Sequence, residues 1–146
     1  MPFKFNIGAK NSRTFKIEAE AESLIGKKIG ESVSGGDIDA RLNGYEFEIT
    51  GTSDKAGFPG LKSVEGASLK KVLLTYGTGM KKLKPRGLRL KKTVRGNTIS
   101  KDSVQINLKV VKEGDKKLEE IFPEQAKSKE ENKESKPEIA KPEQQK

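Results

Sequence analysis

Apolar and polar residues alternate along several short stretches of this chain. Phe3, Phe5 and Ile7 fall on one side of an extended segment and Lys4 and Asn6 on the other. The same period of two returns with Phe15 and Ile17 against Lys16 and Glu18. Between them lies GAKNS, residues 8–12, whose glycine and asparagine suit a turn, so the first two strands should form a hairpin. The clearest strand is 44–50, GYEFEIT, where Tyr45, Phe47 and Ile49 oppose Glu46 and Glu48. Near the end, SVQINLKVVK (103–112) sets Val104, Ile106, Leu108 and Val110 inward and Gln105, Asn107 and Lys109 outward. One strand lacks this regularity. In LKKVLLTY (69–76) the residues Leu69, Val72, Leu73 and Leu74 break strict alternation, which predicts burial on both faces or a bulge.

The connections are read from their turn residues. Residues 19–25, AEAESLI, favour a short helical turn. Gly26 and Gly30 bracket a bend that leads to a short strand marked by Ile29 and Val33, and 37–43 runs into the Tyr45 strand. The loop GTSDKAGFPG (51–60) gathers three glycines, a proline and an aspartate around Phe58, which looks buried, and Gly57 is expected at positive φ. Gly96-Asn97 reads as a tight-turn pair. Residues 116–122, with Leu118, Ile121 and Phe122 as apolar points, can make one or two helical turns. Beyond them, 123–146 is rich in Glu, Lys, Gln and Pro and cannot bury enough apolar surface to offset ordering. The expected organisation is therefore a β-barrel domain over 1–115, a helical turn over 116–122 and a disordered tail over 123–146. The expected fold class is mainly β, a small antiparallel barrel with little helix.

Charge sharpens this picture. The 146 residues carry a net +9. From Glu119 to Lys146 eight Glu and six Lys balance to −2, which leaves +11 on residues 1–118. Between Glu65 and Asp102 there is no acid at all, while Lys70, Lys71, Lys81, Lys82, Lys84, Arg86, Arg89, Lys91, Lys92, Arg95 and Lys101 fall inside that window. Pro85 and the interspersed glycines exclude a helix there, and Leu83, Leu88, Leu90 and Val94 are too regular for an unstructured basic tail. The pattern predicts a basic loop over 77–92 held between two strands and open toward a polyanion. Lys and Arg neutralise phosphates and release condensed counterions, so nucleic acid is the expected partner. Lys70, Lys71, Lys81, Lys82, Lys84, Arg86, Arg89, Lys91, Lys92 and Arg95 are the expected RNA-binding residues.

Other chemistry is sparse. The chain has neither cysteine nor histidine, which removes disulfides, thiolate sites and the commonest general base and metal ligand. Asp37 and Asp39 read as turn acids. Asp54…Gly57 lacks the later acidic ligands of a calcium loop. No cofactor, metal, small-molecule substrate or catalytic residue is expected. No apolar run reaches the length of a membrane span, and MPFKFNIGAK lacks the apolar core of a signal peptide, so a cytoplasmic protein with no membrane partner is expected. An aromatic share of 5% argues against a base-stacking single-strand binder.

Two motifs go further. The loop Asp54-Lys55-x-Gly57-Phe58-Pro59, and Lys92-Thr93-Val94-Arg95-Gly96 followed by Asn97-Thr98-Ile99-Ser100, stand in this order around the basic stretch. With KKVLLTYGTG and VQINLKVVKEG they resemble the archaeal and eukaryotic small-subunit ribosomal protein S6e family, in its short archaeal form, from about Phe3 to Phe122. Gly60 and Thr52 depart from that pattern, where Met and a second Gly are usual. The resemblance implies a non-catalytic β-rich constituent of the small (30S) subunit, located on the ribosome, with small-subunit rRNA and neighbouring ribosomal proteins as partners in translation. The alternative is a free RNA-binding or adaptor protein acting off the ribosome.

Overall fold

A computed structural model describes residues 2–80, 87–114 and 117–122. The chain divides into two units, Met1–Asp115 and Lys116–Lys146. The expected disordered tail, 123–146, lies outside the described residues, as do Lys81, Lys82, Lys84 and Arg86.

In the first unit, β1 (Phe3–Gly8) and β2 (Thr14–Ala19) form the expected antiparallel hairpin. β3 (Ser32–Ser34), β4 (Glu46–Asp54) and β7 (Ser103–Lys112) join them in a five-stranded sheet of order β2-β1-β7-β4-β3. β7 is the middle strand, antiparallel to β4 and parallel to β1. The strand-period reading of the sequence accounts for the core face. Across the sheet, Phe15 pairs with Ile7, Ile7 with Leu108 and Leu108 with Ile49. Phe5 pairs with Ile106, Phe47 with Val110 and Val33 with Phe47. Apart from Ile17, which is half-buried, the apolar members of these rows are buried. The opposite face is polar. Asn6 Nδ2 donates to Asn107 Oδ1 at 3.2 Å, Gln105 Nε2 donates to the same oxygen at 2.9 Å, and Lys4 pairs with Glu18 at 3.4 Å. One dry and one wet face is what alternating strands dictate.

The sheet does not close into a barrel. β2 and β3 remain its two edges, and β3, only three residues long, offers too short an edge for a further strand. The other two strands, β5 (Leu69–Leu74) and β6 (Leu90–Arg95), make a separate antiparallel pair. The fold is mainly β, as expected, but open.

The connections supply the rest of the core. The helical turn expected over 19–25 is a 3-10 turn at Glu22–Leu24, with Leu24 buried. Two more 3-10 turns, Gly35–Asp37 and Ala40–Leu42, precede β4. Asp39 accepts from the Arg41 backbone N–H at 3.0 Å, and Asp37 lies 3.9 Å from Lys27. Both acids thus serve turns. β4 runs four residues past its expected end, with register shifts on the way, so the start of the 51–60 loop is strand. Gly57 has φ 81°, as its place in that loop required.

Gly96-Asn97 is not a hairpin turn. From β6 the chain continues across two neighbouring segments. Asn97 N–H donates to Val64 O at 2.7 Å, Thr98 N–H to Gly66 O at 3.1 Å, and Ile99 N–H to Lys27 O at 2.9 Å. Gly96 is needed for closeness instead, because a Cβ there would collide with the Gly66 carbonyl. In the second unit, Leu118–Ile121 forms a single helical turn, α1.

Candidate RNA-binding surface

The basic stretch is organised by the β5–β6 pair. Its register is unbroken: Lys70 faces Val94, Lys71 faces Thr93, Val72 faces Lys92, Leu73 faces Lys91 and Leu74 faces Leu90. Alternation then separates two faces. One carries Lys70, Val72 and Leu74 with Val94, Lys92 and Leu90. Its apolar members are half-buried or buried. Beside it, Phe58, Pro59, Met80, Lys92 and Val94 line an open depression of about 550 Å³. Phe58, expected in the core, is half-buried here.

The other face carries Leu69, Lys71 and Leu73 with Arg95, Thr93 and Lys91, of which Arg95 is buried. Leu69 and Leu73 are 45% and 58% exposed. The broken alternation of 69–76 therefore marks neither two-sided burial nor a bulge. It marks a two-stranded ribbon that leaves Leu69, Lys71, Leu73 and Lys91 open to solvent on one face.

The structure sorts the expected cations into three groups. Lys71, Arg89 and Lys91 are exposed and form no ion pair among the described residues. Lys71 and Lys91 sit diagonally across the ribbon, a relation that places side chains about 7–8 Å apart. Lys70 and Lys92 are tethered: Lys70 Nζ donates to Glu65 O at 3.1 Å and Lys92 Nζ to Gly79 O at 3.1 Å. Neither bond neutralises the charge, so both still add to the positive field.

Arg95 stands apart, because its side chain is only 10% exposed. Its Nε lies 3.0 Å from Asp54 Oδ2, off the line of a hydrogen bond, so the contact is an ion pair held by charge. Nη1 donates to Ser100 Oγ at 2.7 Å, and Nη1 and Nη2 reach Asp102 Oδ2 at 3.3 Å. The backbone joins in: Arg95 N–H donates to Pro59 O at 2.9 Å, and Leu61 N–H to Arg95 O at 3.1 Å. Arg95 is thus the clasp between the two sequence motifs. The arginine expected to meet RNA holds the 54–59 loop against β6. A surplus of cations hid this role, since no signal in the sequence pairs Arg95 with an acid 41 positions earlier.

One exposed residue went unassigned by the sequence. Tyr76, two residues beyond β5, is 81% exposed. Its isolation in an acid-free, lysine-rich window was the available signal.

Fold and surface define a class: a small, mainly β domain whose distinctive feature is a basic ribbon. Among the described residues no group of three or more acidic side chains could hold a metal ion, and no helix is long and apolar enough to cross a membrane. Comparison with known proteins makes the class specific. Residues 3–123 match ribosomal protein S6e. The chain is 45% identical over 115 residues to small ribosomal subunit protein eS6 of Methanococcus maripaludis strain C5, covering 78% of this chain and 90% of that protein. It is 47% identical over 121 residues to the protein of the same name from Methanosphaera stadtmanae, covering 81% and 91%. With that of Nanoarchaeum equitans it shares 47% over 116 residues, covering 79% and 84%. The chain belongs to the ribosomal protein S6e family, and is a structural protein rather than an enzyme.

Proposed function

We propose that this protein is a structural constituent of the small ribosomal subunit in the cytoplasm, where it takes part in translation by binding and stabilising small-subunit rRNA. Arg95 ties the β5–β6 ribbon to Asp54 and Pro59, at and just beyond the end of β4 in the five-stranded sheet. Lys71, Arg89 and Lys91 neutralise phosphates, with Lys70 and Lys92 adding to the field. Lys81, Lys82, Lys84 and Arg86 extend the same run of charge along the sequence. Phosphate contacts position a protein without reading bases, so selectivity comes from the shape of the folded RNA. Neighbouring small-subunit proteins complete its surroundings.

The observation that carries this reading is the coincidence of exposed cations that form no ion pair among the described residues, on and beside a two-stranded ribbon, with a sequence window free of acids. Family membership sets the assembly in which that surface works. Sedimentation of a native extract tests it. The protein is expected with small subunits at low salt and in the free fraction after a high-salt wash, as phosphate-dominated binding requires. A chain found only in the free fraction at low salt defeats the proposal.

A further inference from the structure

We infer that Tyr76 is a stacking platform for a single unpaired nucleotide of the bound RNA, just beyond the end of a ribbon whose cations hold phosphates. The inference rests on the reading that the ribbon binds RNA.

The aromatic residues are otherwise spent on the protein itself. The chain has six Phe, two Tyr and no Trp. Phe3, Phe5, Phe15, Tyr45 and Phe47 are buried, and Phe58 and Phe122 are half-buried. Tyr76 alone among these rings is 81% exposed. The chain turns directly after it, with Met80 N–H donating to Gly77 O at 3.0 Å and Met80 itself buried. Lys92 Nζ reaches from β6 to Gly79 O in the same turn.

Leu69 and Leu73 are also exposed, so an apolar protein partner competes as the occupant. Charge decides between them. The ring and both leucines lie in a sequence window with no acid, and the leucines share a ribbon face with Lys71 and Lys91, on a domain of net positive charge. That composition complements a polyanion that also offers a flat apolar face, which describes a nucleotide. A base within a duplex keeps its faces stacked on its neighbours, so the one that reaches Tyr76 must be unpaired. Base–aromatic stacking tolerates any base, because each has a π-face.

The test uses the full chain and two RNA hairpins, one fully paired and one identical except for a single bulged adenosine. Wild-type protein is expected to bind the bulged RNA about fivefold or more tightly than the paired one. Tyr76→Ala should abolish that preference while leaving paired-RNA affinity within about twofold, and Tyr76→Phe should retain it. Melting curves check that the exposed substitution leaves the fold intact. Tyr76→Ala acting equally on both RNAs, or on neither, overturns the stacking role. If both RNAs still bind with steep salt dependence, the phosphate reading survives that result; binding without salt dependence defeats the phosphate reading instead. Reduced incorporation of Tyr76→Ala into small subunits with unchanged RNA affinity would assign the ring to a protein neighbour and also overturn the proposal.

Discussion

Arg95 and Asp54 show how one charge can be functional in appearance and structural in position. The Asp54 side chain is 6% exposed and that of Asp102 61%, although both pair with the same guanidinium. Removing the buried acid leaves the buried guanidinium only Ser100 and the exposed Asp102 as partners, and removing the exposed one hands its share to water. Asp54→Ala is therefore expected to cost about 3–5 kcal/mol of stability. Asp102→Ala should cost about 1 kcal/mol or less. Urea denaturation of the two variants measures the difference. Gly96→Ala drives a methyl group into the Gly66 carbonyl and should cost about 1–3 kcal/mol in the same assay. These residues mark the limit of what could be read beforehand. The positive φ of Gly57 was legible because local turn chemistry demands it. The need for Gly96 was not, since the atom it makes room for belongs to a residue 30 positions away.

At the scale of the element, strict alternation was a sound guide. β1, β2 and β7 are where period two placed them, because each has one wet and one dry face, and β4 follows it as far as Thr50 before running on to Asp54. β5 misled because it packs on one face only through its last residues and leaves Leu69 and Leu73 outside. The ribbon it forms with β6 extends into the stretch read as a basic loop, which the strand from Leu90 shortens. That ordering gives the binding surface a checkable energetics. Each neutralised phosphate contact contributes roughly 0.7–0.9 to the slope of log affinity against log salt. Lys71→Gln, Arg89→Gln and Lys91→Gln together should lower the slope by about two to three units. Arg95→Gln should instead lower stability and leave the slope unchanged. Filter binding across a salt series reads both. A slope that falls with Arg95→Gln would return that residue to the interface.

For the whole molecule, the charge asymmetry and the strand count were legible, but the strand order was not. Nothing in the residue pattern announces that β1 lies parallel to β7, so several antiparallel strands suggested a closed barrel where the sheet is open. The balance of charge argues that residues 123–146, with six Glu and six Lys, neither attract nor strongly repel RNA. Their deletion should change RNA affinity by less than about threefold, roughly 0.7 kcal/mol. The place of β7 has a consequence for how the protein is made. The last strand of the sheet to leave the ribosome that synthesises it is the one in the middle, so β1–β2 and β3–β4 are separate pieces with unpaired inner edges until residue 112 has emerged. The basic ribbon is complete before the sheet to which it is tied. Pairing β1 with β7 joins residues about a hundred positions apart, a long-range closure of the kind that slows folding. A chain ending at Lys101 is accordingly expected to show no cooperative urea transition and rapid proteolysis, whereas one ending at Phe122 should unfold in a single step. The nascent protein thus already carries its positive charge while the sheet is still open in the middle, and the final ten-residue strand joins the pieces of a cationic chain into one sheet.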